Sequence, residues 1–214
     1  MPKDKPYRHL VDHYESCLDQ HGDTHLGVDW PNAADAARRY AVMLGVVRPD
    51  GPTPATLLDL GCGASHLQEY LQATGASHLT YAGMDLSEKF VALSRRKFPH
   101  LTYYCGDLLE IGPDVPTFDY VVMNGLFTEK RALSQAEMIR FWQDMLKVAW
   151  DHTTVGLAFN VMSSHVDWQR EDLFHVAMDS TAAYVRQELS RHWTMRQDYG
   201  LYEYTTYVYR EPRI

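Results

Sequence analysis

A chain of 214 residues is long enough for one domain with a substantial core. Hydrophobic residues at 45% and charged residues at 22% are ordinary for a globular protein in water. No apolar run nears the ~20 residues that span a bilayer, the Met1-Pro2-Lys3-Asp4-Lys5-Pro6 start has no signal-like core, and a net charge of -8 disfavours nucleic acid and anionic membrane.

Residues 1–50 are polar and His-rich, with a helical piece from Ala33 to Leu44. Pro49 and Gly51-Pro52-Thr53-Pro54 separate this segment from a core at 55–214. Within the core, strand and helix patterns alternate, which predicts a mainly parallel sheet with helices on both faces. Thr56–Leu60 is a short buried strand, and His66–Thr74 is a helix stopped by Gly75. Leu79–Met84 is a strand ending at Asp85. Ser87 caps a helix from Glu88 to Phe98, and Pro99 ends it. Leu101–Tyr104 and Phe118–Met123 are the next strands, reaching Gly106-Asp107 and Asn124-Gly125. A helix from Ser134 to Trp150 carries the apolar stripe Phe141, Met145 and Val148; Thr154–Asn160 is a fifth strand, and Asp172–Leu189 reads as helical. Trp193–Tyr199 and Leu201–Tyr209, split at Gly200, read as a closing hairpin.

The most informative run is Leu57-Leu58-Asp59-Leu60-Gly61-Cys62-Gly63-Ala64-Ser65, a strand, a tight loop and a helix start. Glycines at 61 and 63 let a ligand approach the backbone. Asp59 opposes a pyrophosphate at this bend and suits a cation bearing an ammonium and a sulfonium, which is S-adenosylmethionine. Asp85, at the second strand end, can accept from both ribose hydroxyls. Asp107, at the third, can accept from the adenine amino group, with Leu86 or Leu108 against a ring face.

Asp59-Leu60-Gly61-Cys62-Gly63, Met84-Asp85-Leu86-Ser87, Gly106-Asp107-Leu108 and Phe118-Asp119-Tyr120-Val121-Val122 together resemble class I S-adenosylmethionine-dependent methyltransferases over Thr56 to Tyr209. The resemblance implies a Rossmann-like, doubly wound, seven-stranded α/β sheet with its last strand antiparallel. It also implies that Gly61 and Gly63 lie against the methionine part, that Asp85 binds the ribose and that Asp107 binds the adenine edge; Cys62, Leu86, Ser87, Leu108, Asn124 and Gly125 are expected to complete the cofactor site. The family often has a third glycine where this chain has Ser65, whose N–H is still expected to be on offer. Met123-Asn124-Gly125-Leu126-Phe127 lacks the two prolines usual in nucleic-acid and protein amide methyltransferases of this fold. With the acidic charge, that favours O- or N-methylation of a small polar metabolite. Gly27-Val28-x-Trp30 and the Asp198-Tyr199 to Tyr202-Glu203 hairpin add a narrower likeness to compact bacterial methyltransferases of specialised or glycan metabolism. The competing readings are a non-catalytic binding or scaffold protein and a nicotinamide-dependent oxidoreductase; His66 is too bulky for the third glycine position of the latter.

Residues 1–50 are expected to form a helical lid, with Tyr14 and Trp30 over the ligand and Arg39 on the methionine carboxylate. The loop Asn160–Trp168 faces the acceptor side, which makes His165 the candidate general base, with His13 and Tyr14 as positioning groups. Glu129-Lys130-Arg131 reads as a solvated loop. The pairs His9/His13 and His21/His25 have helical metal spacing, but no cysteine or carboxylate completes a set in sequence, so no metal is expected. Cys17, Cys62 and Cys105 form no disulfide pattern, which points to a reducing, cytoplasmic setting. The expected partner is a small-molecule substrate, with a homodimer the one assembly left open.

Overall fold

The computed structural model describes residues 5–213. Its centre is one sheet of strands β1 (Ala55–Leu60), β2 (Leu79–Asp85), β3 (Thr102–Cys105), β4 (Phe118–Phe127), β5 (Thr153–Ser163), β6 (His175–Val176), β7 (His192–Arg196) and β8 (Glu203–Tyr209). The order is β3-β2-β1-β4-β5-β8-β7, parallel from β3 to β5, with β8 antiparallel to both β5 and β7. The two-residue β6 pairs with the end of β5 and brings the count to eight rather than seven.

The central strands are apolar on both sides because helices cover both faces. Leu58, Leu60, Val121, Met123 and Phe159 pack toward α6 (Gln135–Asp151), which contributes Met138, Phe141, Trp142, Met145 and Leu146. A reciprocal capping box between Ser134 and Glu137 starts that helix at its expected place. On the other face Leu57, Tyr120, Val122 and Ala158 meet α3 (His66–Thr74), α4 (Glu88–Lys97) and α2 (Ala33–Met43). Each such fully buried Leu, Val or Phe contributes about 1.5–3 kcal/mol of transfer free energy.

Two expectations change here. Residues 33–46 are not a lid: Ala36, Tyr40, Met43 and Val46 are buried against the sheet, so α2 is a core layer. The part that crosses the strand ends is α1 (His9–His21) with the short turn Leu26–Val28. The expected long helix at 172–189 shortens to α7 (Met178–Tyr184), followed by a π turn at Val185–Leu189. The stretch before it pairs as extended chain. The Lys130 and Arg131 N–H groups donate to the Asp172 carbonyl, and Phe174 N–H donates to Thr128. Those long-range backbone bonds outweigh local helix preference. The hairpin forms, with a turn spanning 197–202. Among the described residues no helix is long and apolar enough to cross a membrane.

Candidate active site

The carboxyl ends of β1, β2, β3, β4 and β5, the turn before β8 and the underside of α1 enclose a cavity of about 470 Å³, within the range of small-molecule sites. At its first bend Gly61 (φ +80°) and Gly63 (φ +50°) occupy the left-handed region. A Cβ at either would press on Leu126 or Val28, at 3.2 and 3.3 Å, so the glycines serve both the turn and its roof. Gly63 N–H donates to Asp85 Oδ2 at 2.8 Å and Ser87 N–H to Asp85 Oδ1 at 2.9 Å. Each carboxylate oxygen keeps acceptor capacity for a ribose hydroxyl. Burial raises the Asp85 pKa against those backbone bonds. Ser87 caps α4 by accepting from Phe90 N–H and donates to Glu15 Oε1 of α1 at 2.6 Å. Ser65, where a third glycine was anticipated, is a buried non-glycine residue at φ +59°. Its N–H is not on offer: it donates to Cys62 O at 2.9 Å, while its hydroxyl donates to Tyr103 at 3.1 Å.

Asp59 is 3% exposed and lines the cavity beside the bend. Burial pushes its pKa up to about 7, against a 2.9 Å hydrogen bond from Tyr81 and with Asp85 adding repulsion. Its charge is therefore one that a cationic ligand would complete. Leu86, Leu108, Asn124, Gly125, Cys62 and Trp30 all line the same space. The Asn124 Oδ1 atom is buried with no hydrogen-bond partner, a situation that costs about 1–3 kcal/mol unless a ligand donor meets it. Two glycine cradles, two carboxyl groups and this orphaned acceptor fit a cationic adenosyl compound.

Asp107 departs from expectation. Its Oδ1 caps α5 (Leu108–Ile111) by accepting from Leu109 N–H, and its Oδ2 accepts from Lys5 at 2.8 Å and Tyr7 at 2.6 Å. Burial would raise its pKa, but the bonds from Lys5 and Tyr7 outweigh that and hold it below the ordinary range. Both oxygens thus already serve the protein, and Tyr7, stacked on Phe141 at 4.2 Å, lines the cavity at this end. Arg39 also has a protein partner: its Nε donates to buried Glu203 at 2.9 Å while its guanidinium lies 4.2 Å over Trp30. Glu203 in turn accepts from Asn160, which accepts from Gly125 N–H at 2.8 Å. A guanidinium carries five N–H donors, so this pairing does not exhaust Arg39. Trp30 presses against Gly125, where a Cβ would come within 2.6 Å of the indole.

The β4–β5 end of the cavity holds different residues from those expected. His165 is exposed, anchored through its backbone N–H to Ser163, and does not line the cavity. The loop turns it outward because Ser163 and His175 close the end of β5. His13 also stands outside the lining, with Nε2 2.7 Å from Asp29 and in contact with Arg131. Cys17 Sγ lies 3.6 Å from it, so folding supplies the cysteine and carboxylate missing from the sequence spacing. The Arg131 guanidinium, 2.9 Å from Asp29, already places a cation in that cluster. Tyr14 does line the cavity, its phenol pKa raised by burial and then by Glu129. Glu129-Lys130-Arg131 is not a solvated loop: Glu129 is half-buried, lines the cavity and pairs with Arg131. Burial raises the Glu129 pKa, partly offset by Arg131. A glutamate two residues beyond an apolar strand was the only sequence signal for it.

A mainly parallel sheet with a reversed closing hairpin thus sets a glycine turn and strand-end acids on one cavity. Residues 57–149 match the family model described as a methyltransferase domain. The chain is 28% identical over 163 residues to Rv1506c of Mycobacterium tuberculosis, a provisionally named methyltransferase, covering 72% of this chain and 93% of that one. In fold it is similar to magnesium protoporphyrin IX methyltransferase (ChlM) from Synechocystis with bound S-adenosylmethionine. That match has a TM-score of 0.66, 13% identity and coverage of 99% of this chain and 100% of that one. CalS10, an amino pentose methyltransferase from Micromonospora echinaspora, also aligns, with a TM-score of 0.54, 18% identity and coverage of 93% and 97%. Residues 57–149 thus carry the methyltransferase-domain pattern, and the fold is similar to that of S-adenosylmethionine-dependent methyltransferases.

Proposed function

We propose that this enzyme transfers a methyl group to an oxygen or nitrogen of a small metabolite bound between β4, the loop after β5 and the turn before β8. The observation that carries the reading is the continuity of one cavity from Asp59, Gly61 and Asp85 to Tyr14 and Glu129. When bound, S-adenosylmethionine supplies an electrophilic methyl group on a sulfonium. Asp85 accepts from the ribose, Leu86 and Leu108 flank the base, and Asp59, Asn124 and Arg39 meet the charged methionine part. Tyr7 and Lys5 stand at the adenine edge in place of a free Asp107. Trp30, Val28 and α1 exclude water from above.

At the far end Glu129 takes the role first sought in His165. A carboxyl whose pKa is lifted by burial is better matched to removing a proton from an acceptor hydroxyl or ammonium than an ordinary glutamate. Tyr14 positions the acceptor beside it. Three free cysteines support a reducing, cytoplasmic setting. Thermal melting with S-adenosylmethionine or S-adenosylhomocysteine tests the first half: both should raise Tm, and NAD should not. Glu129→Gln tests the second, with turnover expected to fall about a hundredfold while S-adenosylhomocysteine affinity stays unchanged. Unchanged turnover would remove Glu129 from the reaction.

A further inference from the structure

Three large hydrophobic side chains are exposed among the described residues, and two of them stand together. Trp168 is 56% exposed and Tyr202 52%, with ring centroids 5.9 Å apart and planes tilted by 50°. They come from unrelated places, the loop after β5 and the turn before β8, and both line the mouth of the cavity. Folding gains little from leaving two aromatic rings in water, so their meeting at that mouth points to a ligand.

The groups around them state its chemistry. From the same segments Met162, Leu173 and Leu201 add apolar lining to the cavity. Of the nearby charged groups, Arg170 pairs with Asp172, and Glu203 with Arg39 and Asn160. A saccharide would bring a rim of hydroxyls that Met162, Leu173 and Leu201 cannot partner. A flat apolar ring needs only face and edge contact. We infer that Trp168 and Tyr202 form a subsite for a planar aromatic portion of the methyl acceptor, whose polar acceptor atom reaches inward to Glu129. This rests on the assignment of that end of the cavity to the acceptor, and it makes the substrate polar at its reacting atom and aromatic in its body.

Calorimetric titration of 2-naphthol and of methyl glucoside into the full chain saturated with S-adenosylhomocysteine tests it. Naphthol should bind and glucoside should not. Trp168→Ala and Tyr202→Ala should each weaken naphthol about tenfold, Trp168→Phe should restore most of the loss, and S-adenosylhomocysteine affinity should not move. Both side chains are exposed, so neither alanine variant threatens folding. Failure of naphthol to bind the saturated protein, or equal binding by the alanine variants, overturns the aromatic subsite while the methyltransferase reading stands. Glucoside binding that the variants abolish would make it a saccharide site and overturn it too. A dimer seen by light scattering and dissolved by Trp168→Ala would give the pair to a second copy and would likewise overturn the subsite. Failure of S-adenosylhomocysteine itself to bind would bring down the cavity assignment on which the inference stands.

Discussion

The two ends of the cavity are built by different means. At the β1–β2 end, the cavity-lining groups sit at the ends of two adjacent strands and are held by backbone: Gly61 and Gly63 by their φ angles, Asp85 by the Gly63 and Ser87 N–H groups. At the β4–β5 end, Tyr14, Glu129, Trp168 and Tyr202 come from four separate segments and are held by side-chain pairing or by little at all. A backbone-built end suits a ligand common to many enzymes, whereas an end assembled from loops can change its substrate without disturbing the other.

Removing the acid that organises the first end should give the largest effect. Asp85→Ala deletes the acceptor of two backbone bonds and, in the proposed binding mode, of the ribose hydroxyls, and should weaken S-adenosylhomocysteine about a hundredfold by calorimetry. Retention of affinity within about threefold would deny that this end is preorganised. Asp59→Asn should act in two directions. Folded Asp59 keeps its proton up to about pH 7, whereas the unfolded chain releases it near 3.8. Stability from this group is therefore fully present below pH 3.8 and is lost as pH rises through 7. The Asn variant should lose that slope in denaturant titrations and be more stable at pH 8, yet bind cationic S-adenosylmethionine about tenfold more weakly. An unchanged pH slope would show that burial does not hold the proton there.

Trp30→Ala should cost about fivefold in cofactor affinity, since the indole covers Gly125 and carries Arg39. An unaltered dissociation constant would remove the lid role. Ser65→Gly should move stability by no more than about 1 kcal/mol, because relief of a left-handed non-glycine residue opposes loss of the Tyr103 hydrogen bond. Urea titration would reveal a larger loss, which would mean that the hydroxyl matters more than the turn.

The same contrast explains what the sequence disclosed. Asp59, Gly61, Gly63 and Asp85 were legible because strand ends in a parallel sheet converge, so position along the chain translates into position in space. The hairpin and the central strand order followed from the same alternation. Glu129 was missed because Lys130 and Arg131 made its neighbourhood look solvated, whereas Asp172 and Phe174 fold back and bury it. His165 was favoured for lying on the right loop, but which way a loop residue faces depends on closures such as Ser163 with His175, which no local pattern encodes. Asp107 stood at the expected strand end, yet Lys5 and Tyr7 reach it across a hundred residues of chain.

Helix α1 covers the cavity with two kinds of fastening. Beneath, Leu10 and Tyr14 join the apolar core. At its outer edge Asp19 pairs with Lys89, and beyond its end Asp23 meets Lys97 and His66. The exposed Asp19–Lys89 pair weakens over the range where the Debye length shrinks from about 10 Å to about 3 Å, the half-buried Asp23 cluster less so, and apolar contact not at all. Ionic strength is thus a dial on the outer rim of the cover, and cofactor exchange should quicken with salt well before the sheet beneath begins to melt.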